Sequence, residues 1–331
     1  MDVTMLKLGF LGTGWIGRHR MAAMLGTGLV EAVAVSDPSA EMAAEARALA
    51  PEAALVGSLN EMLALGLDGV VIASPSALHA EQSIVALEAG AAVFCQKPLG
   101  RSAAEAAAVV AAARDADRLL GVDFSYRFTD GVAKIAEIVR DGGLGRVQAV
   151  DLVFHNAYGP DKPWFYDRAQ SGGGCVMDLG VHLVDLALWV LGLPEVVRVE
   201  SHLFAGGVPL VGDAVEDFAV ATLTLTGGTV VRLACSWRLH AGRDAVIEAS
   251  FYGSEGGAGF RNVGGSFYDF VADRYRGTVS ERVSEGDADW GGRAGVDWVR
   301  RLAGGERFGQ DAEALVTVAA TLDAIYAGGV G

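Results

Sequence analysis

The stretch LKLGFLGTGWIG, residues 6–17, joins an apolar run to a glycine-rich turn and then to the start of a helical pattern. The run over 6–11 is short and continuous, the pattern of a strand buried on both faces. Gly12, Thr13, Gly14, Trp15, Ile16 and Gly17 spell G-x-G-x-x-G, and a helix is predicted over 15–25. In that setting each glycine has a task. Gly12 makes the tight turn, Gly14 lets a pyrophosphate approach the backbone, and Gly17 brings helix and strand close together. The helix N-terminus favours the phosphate charge. The next apolar run ends at Ser36-Asp37, with Asp37 twenty residues past Gly17. A carboxylate there accepts hydrogen bonds from an adenosine ribose and repels a 2′-phosphate. The spacing therefore predicts NAD, with NADP disfavoured.

Working outward, residues 5–123 alternate apolar runs with helical stretches. LKLGFLG, VEAVAVSD, GVVIAS, AAVFCQK and RLLGVDF read as buried parallel strands, and 15–25, 39–49, 77–89 and 102–116 as helices. This alternation predicts an α/β domain over 1–124, a Rossmann-like doubly wound parallel sheet. Such sheets bind ligands beyond the C-terminal ends of their strands. Ser74 and Pro75 fall at one strand end, His79 lies just inside the next helix, and Gln96-Lys97-Pro98 follow the fifth strand. His79 reads equally well as an ordinary polar helix residue. Lys97 stands out because only four of the 26 basic residues are lysines. A lysine, unlike an arginine, gives up its proton in a desolvated site.

Beyond about residue 125 the pattern changes. A helix over 131–140 leads to a strand near 146–154, a polar and aromatic loop (HNAYGPDKPWFYDRAQSGGG, 155–174) and an apolar helix. Two alternating runs, EDFAVATLTLT (216–226) and TVVRLACSW (229–237), are joined by Gly227-Gly228, an antiparallel hairpin signal. DAVIEASFYG (244–253) reads as a further strand, 253–277 is Gly-rich without a clear period, and helices are predicted over 288–302 and 311–326. Residues 125–331 thus read as an α+β domain with a large, mostly antiparallel sheet. The last helix, 311–327, is expected to pack back on the first domain.

Within GGGCVMDLGVHLVDLALWVLG (172–192), Asp178, His182 and Asp185 interrupt an otherwise apolar helix at i, i+4 and i+7. They share one face. A helix apolar on nearly all sides is buried, and a buried Asp or His needs a partner or a task. On the residues alone three readings stay open: a hydrogen-bonded buried pair, a proton-handling pair, or two ligands of a metal. The chain offers no second cluster to complete a metal site. Asp185 reads as structural, paired with a backbone amide or an Arg.

Composition narrows the classes. Hydrophobic residues make up 51% and charged residues 20%, enough for large cores and unlike a disordered chain. The net charge of −15, without a basic block, argues against nucleic acid and against an anionic membrane surface. Cys95, Cys175 and Cys235 are widely spaced, so reduced buried thiols are expected in place of a zinc site or disulfides. No basic leader precedes MLKLGFLG, and no uninterrupted apolar run reaches the ~20 residues of a membrane span. A soluble, cytoplasmic protein is expected.

Taken in order, LGFLGTGWIG (8–17), VIASPSALHAEQSIVALEAGAAVFCQKPL (71–99), GVDFSYRF (121–128), SGGGCVMDLGVHLVDLALWVLG (171–192) and the closing stretch 297–329 carry a specific likeness. Over nearly its whole length the chain resembles the glucose–fructose oxidoreductase / inositol dehydrogenase (Gfo/Idh/MocA) family. The resemblance implies hydride transfer between a nicotinamide cofactor and a hydroxyl or carbonyl carbon of a sugar, cyclitol or related polyol, without a metal. It places the family's lysine on Lys97 and its D-x-x-x-H on Asp178 and His182. His182 would then be the general base or acid, Asp178 would hold the imidazole or reach substrate hydroxyls, and Lys97 would bond the reacting oxygen. Ser74, Pro75, His79, Gln96 and Lys97 join the turn residues and Asp37 as expected cofactor contacts. The Lys-Pro bond is often cis in similar proteins.

This chain departs from the usual Glu-Lys-Pro at Gln96. Losing a negative charge beside Lys97 is expected to ease its deprotonation. Substrate recognition is expected from Tyr126, Arg127, His155, Asn156, Tyr158, Trp164, Tyr166 and Arg168, a mixture that suits stacking on a sugar face and bonding hydroxyls, and that equally suits packing a loop. The sheet's outer face is expected to pair with a second copy, giving a homodimer or homotetramer. Two other functions fit the same fold: a non-catalytic NAD-binding regulator, and an oxidoreductase of a non-sugar carbonyl, imine or dihydrodiol.

Overall fold

The computed structural model describes residues 5–286 and 289–328. The chain forms two compact units, residues up to Ser125 with Gly291–Val316, and Tyr126–Trp290 with the residues from Thr317 on.

In the first unit, β1 (Leu6–Leu11), β2 (Val30–Ser36), β3 (Ala54–Leu55), β4 (Gly69–Ile72), β5 (Ala92–Cys95) and β6 (Leu120–Val122) form one parallel sheet in the order β3-β2-β1-β4-β5-β6. The helices between them are α1 (Trp15–Leu25), α2 (Ala40–Leu49), α3 (Leu59–Leu63), α4 (Ser76–Glu88) and α5 (Ala103–Ala116). Ser39, Ser58 and Ser102 start α2, α3 and α5 by accepting a backbone N–H three residues on. β1 pairs with both β2 and β4, so the strand order reverses beside the turn that follows β1. This is the position at which an open α/β sheet leaves a crevice for a ligand.

The first unit is completed from far along the chain. α9 (Arg293–Ala303) packs on α1, β5 and β6, with Trp298 buried against Phe94 at 5.7 Å between ring centres. Gly69 and Gly121 make its slot, because a Cβ on either would lie 2.7 Å from the indole. The helix predicted from 288 starts at Arg293, and residue 288 itself lies outside the described residues. The segment that joins the first unit is 291–316, whereas the final helix from Thr317 on groups with the second unit.

The second unit is built on nine strands: β7 (Val147–Asn156), β8 (Val196–Ala205), β9 (Val208–Pro209), β10 (Phe218–Leu225), β11 (Val230–Ser236), β12 (Ala245–Gly253), β13 (Gly257–Asn262), β14 (Phe270–Arg276) and β15 (Val279–Ser284). Their order is β15-β14-β13-β12-β7-β11-β10-β8-β9. Only the β7–β11 pair is parallel. The β10–β11 hairpin turns at Gly227-Gly228, both at φ +86°, a left-handed conformation that glycine adopts without cost to a side chain. The Gly-rich stretch after 253 supplies β13 and β14.

Strand alternation gives this sheet two unlike faces. Val150, Leu152 and Phe154 of β7, Ala219 to Leu225 at every second position of β10, and Val231, Leu233 and Cys235 of β11 are buried. α6 (Asp130–Arg140) and α8 (Val181–Val190) pack on the sheet. Ala149, Asp151, Val153, Val220, Thr222, Arg232 and Ala234 are not buried. A short α7 (Arg168–Ser171) precedes α8, and α10 (Glu313–Ala327) closes the chain. The helical stretch 168–190 is long and apolar enough, by length and composition, to cross a membrane, but 89% of its apolar 18-residue segment is buried inside the protein.

Candidate active site

The turn after β1 is a cradle with no room for a side chain at Gly12 or Gly17. Gly12 has φ +82°, and a Cβ there would meet the Ala73 carbonyl group at 2.5 Å. A Cβ on Gly17 would strike the Gly12 carbonyl oxygen, while the space beside Gly14 is open. No side chain caps the N-terminus of α1, so its first N–H groups remain for an anion. Trp15 and Ile16 stand exposed at the helix start, at 57% and 39%. Thr13 donates its backbone N–H to Asp37 Oδ2 at 2.6 Å, and Ser39 N–H reaches Asp37 Oδ1 at 2.8 Å. The carboxylate at the end of β2 is therefore aimed by the turn itself. Arg18 is bound to the Thr13 carbonyl at 2.7 Å and to Glu45 at 2.5 Å. Gly14, the α1 N-terminus and Asp37 thus fit a dinucleotide's phosphates and ribose.

At the ends of β4 and β5 the structure assigns different tasks from those expected. His79 is buried, with Nδ1 2.7 Å from the Pro98 carbonyl and Nε2 2.7 Å from the Ser74 carbonyl. Both ring nitrogens face backbone carbonyls, and the neutral ring gives its one N–H to either of them, so His79 ties two loops together. Burial pushes its pKa below the ordinary value, against the pull of the two carbonyls. Pro75 is the N-cap of α4, and Ser74 Oγ is bonded to Gln82 at 2.6 Å. Lys97 is half-buried at the sheet's C-terminal edge, and the Lys97–Pro98 bond is cis.

Gln96 does not leave its surroundings without charge. Its amide donates to Asp123 Oδ2 at 2.6 Å, and Arg20 Nε donates to the same oxygen at 2.6 Å. A carboxylate thus sits in contact with Gln96. Asp123 and Arg20 carried no motif and were missed. All three cysteines are reduced and buried, and burial pushes the Cys95 thiol up to about 12.

In the second unit, a widened π-turn (Val176–Gly180) carries Asp178 into α8, which carries His182 and Asp185. Glu216 pins its start, accepting N–H bonds from Gly174 at 2.9 Å and Val176 at 3.0 Å and the Tyr326 hydroxyl at 2.8 Å. Gly174 is required there, since its Cβ would collide with the Glu216 carbonyl. Burial raises the Glu216 carboxyl pKa even against these donors.

The three polar residues have separate fates. Asp178 Oδ2 accepts the Trp237 indole N–H at 3.0 Å. His182, 8% exposed, lies edge-on to Tyr126 at 4.9 Å and 6.1 Å from Phe154. Asp185 is gripped by Arg127, whose Nε is 2.9 Å from Oδ2, and burial raises its pKa against that pairing. Asp185 is thus structural, and Arg127, expected at the substrate, is committed to it and to the Trp189 ring. Tyr126 is packed among Phe154, Phe270 and Trp290, where it supports the His182 ring.

The loop residues divide. Tyr166 lies edge-on to Trp237 at 5.5 Å, Trp164 stacks on Phe165 at 3.8 Å, and Phe165 itself meets Trp237 at 6.3 Å. These rings gather beside Asp178. Arg168 sits over Tyr326, next to Glu216. Tyr158 instead bonds Asp244 at the start of β12. His155 leaves the group. His155 faces away from its neighbour Phe154, and so from His182; it stacks on Phe218 and bonds Ser236 Oγ at 2.8 Å. Asn156, the last residue of β7, uses its carbonyl to receive Leu239 N–H. Trp237, Glu216 and Tyr326 gave no signal beyond their apolar or strand context.

Comparison with known proteins places the chain in a family. Residues 6–124 match the family described as "Oxidoreductase family, NAD-binding Rossmann fold", and 132–258 match "GFO/IDH/MocA C-terminal domain". The chain is similar to D-glucoside 3-dehydrogenase of Escherichia coli (strain K12), 31% identical over 209 residues, 60% of each chain. It is 31% identical over 261 residues to the putative UDP-kanosamine synthase oxidoreductase subunit of Amycolatopsis mediterranei (strain S699), covering 73% of this chain and 71% of that one. Its fold matches a solved levoglucosan dehydrogenase in complex with NADH and levoglucosan. The TM-score is 0.83 and the identity 22%, over 98% of this chain and 97% of that one.

Proposed function

The chain belongs to the GFO/IDH/MocA oxidoreductase family, and on that premise we propose that it is an NAD-dependent dehydrogenase or reductase of a sugar, cyclitol or related polyol, acting in the cytoplasm. One observation carries this reading. Asp178, half-buried on the π-turn and aimed by Trp237, is followed one turn later by His182, buried on α8 and braced by Tyr126. A half-buried carboxylate one turn before an imidazole is suited to orienting a hydroxyl and moving its proton.

When bound, nicotinamide supplies the hydride acceptor or donor. The chain's residues do the rest. The Gly12–Gly17 turn and the α1 N-terminus hold the pyrophosphate, and Asp37 holds the ribose. Asp37 disfavours a 2′-phosphate, and Glu45 occupies Arg18, the cation next to the turn that would otherwise favour one. His182 takes the proton from the substrate hydroxyl in oxidation and returns it in reduction; an imidazole, with an ordinary pKa of about 6.5, suits that exchange. Asp178 orients substrate or imidazole, and the Lys97 ammonium bonds the reacting oxygen. Trp164, Phe165 and Tyr166 offer ring faces to a sugar.

The partly exposed sheet positions around Thr222 and Arg232 are the surface we assign to a second copy, which light scattering tests. The function itself is tested with a panel of sugars, cyclitols and diols offered with NAD and NADP while reduced nicotinamide absorbance is followed. Turnover by one polyol class, lost in His182→Ala with NAD binding retained, is the expected result. NAD binding without turnover of any compound would point to a regulator, and turnover of a non-sugar carbonyl alone would move the substrate class.

A further inference from the structure

Three elements of the first unit meet at one carboxylate oxygen. Arg20 comes from α1, Gln96 follows β5 and Asp123 follows β6. Both donors reach Asp123 Oδ2 at 2.6 Å. The ion pair is buried, with Asp123 1% and Arg20 6% exposed. Asp123 Oδ1 is buried and meets no hydrogen-bond donor among the described residues. A carboxylate left so incompletely bonded is expensive to bury, and the Arg20 guanidinium and the Gln96 amide offset that cost.

Gln96 passes this constraint on to the residue after it. Its backbone N–H is bonded to the Ile72 carbonyl at 2.8 Å, while its side chain is held by Asp123. On the other side, the Pro98 carbonyl is held by His79. Lys97 lies between two fixed neighbours. We propose that Asp123 is a positioning residue for Lys97. From the end of β6 it supplies the carboxylate that the family resemblance predicts at position 96, and Gln96 is the amide through which it acts. Position 96 and position 123 are then one choice. Glutamate at 96 with Asp123 in place would set two carboxylates against one guanidinium, and one of them would have to keep a proton. Amide at both would leave the Arg20 charge buried and unpaired.

The proposal rests on the assignment of Lys97 to the reacting oxygen, and the experiment separates the two. Asp123→Asn, Gln96→Glu, the double exchange and Lys97→Ala are compared by kcat and KM with methyl D-glucoside or myo-inositol, whichever is turned over. NADH affinity is followed by fluorescence and the melting midpoint by calorimetry. Each single exchange is expected to lower kcat roughly tenfold, with KM and NADH affinity within about threefold. The double exchange is expected to return kcat to within about threefold of the native value, the behaviour of residues coupled in one network. A double exchange no better than its singles combined overturns the proposal. So does recovery of the melting midpoint without recovery of kcat, which marks a purely structural ion pair. Should Asp123→Asn not fold, Gln96→Ala removes the link and spares the ion pair; native kcat in that variant also overturns the proposal. Native turnover by Lys97→Ala overturns the functional reading and this inference with it. An inactive Lys97→Ala without rescue by the double exchange overturns this inference alone.

Discussion

Trp237 donates its indole N–H to Asp178 at 3.0 Å while its ring meets Phe165 and Tyr166 of the loop after β7. The loop and the carboxylate are thereby joined through one side chain. Trp237→Phe keeps the ring contacts and removes only the donor. A hydrogen bond to a charged group contributes about 1.5–3 kcal/mol, so kcat should fall roughly ten- to a hundredfold. NADH affinity should be unchanged. Native kcat in Trp237→Phe would show that Asp178 is oriented by something else.

Cofactor choice should turn on Asp37 and Glu45. Asp37→Ser removes the charge that opposes a 2′-phosphate, and Glu45→Gln releases Arg18 from its ion pair. The double variant should shift the ratio of kcat/KM for NAD over NADP toward NADP by at least about tenfold, the scale of one charge contact in a partly exposed site. An unchanged ratio would remove both residues from cofactor selection.

The Trp298 slot gives a stability prediction. Gly121→Ala would place a Cβ 2.7 Å from the indole and 3.1 Å from the Phe94 ring. Overpacking of this kind costs about 1–3 kcal/mol. The urea midpoint should fall with an unchanged slope; an unaltered midpoint would mean that the slot relaxes freely.

His79 predicts a pH dependence of stability. Burial, the largest influence, lowers its pKa from 6.5, and Lys97 lowers it further; the Pro98 and Ser74 carbonyls and Glu105 oppose the shift. As pH falls through 6.5 the unfolded chain takes up a proton that folded His79 refuses, so stability drops on the acid side and is complete above that value. His79→Gln should lack this increment in urea midpoints measured across pH. Parallel curves for the two proteins would mean that the folded ring titrates normally.

How much of this was legible in the chain depends on how local each signal is. The turn at Gly12–Gly17, the bounds of α1 and the Gly227-Gly228 hairpin rest on neighbouring residues and were readable. Asp185 was readable as structural because a buried carboxylate demands a partner, although nothing local named Arg127. His155 shows the limit of a strand read without its register. Neighbours on a strand face opposite ways, so a one-residue uncertainty decides whether a side chain meets His182 or Phe218. Asp123 answers Gln96 from 27 residues away, and Trp237 answers Asp178 from 59; no period or motif connects such pairs. The π-turn at Val176–Gly180 was likewise hidden, because composition does not distinguish it from ordinary helix.

The slot formed by Gly69 and Gly121 has a consequence for how this protein is made. The indole that fills it belongs to residue 298, so the sheet begun by the first 125 residues is still missing a wall when they leave the ribosome. An N-terminal fragment ending near that point would expose an apolar trench to water and should aggregate or recruit a chaperone. Nucleotide affinity during synthesis should appear only after the later helix has emerged.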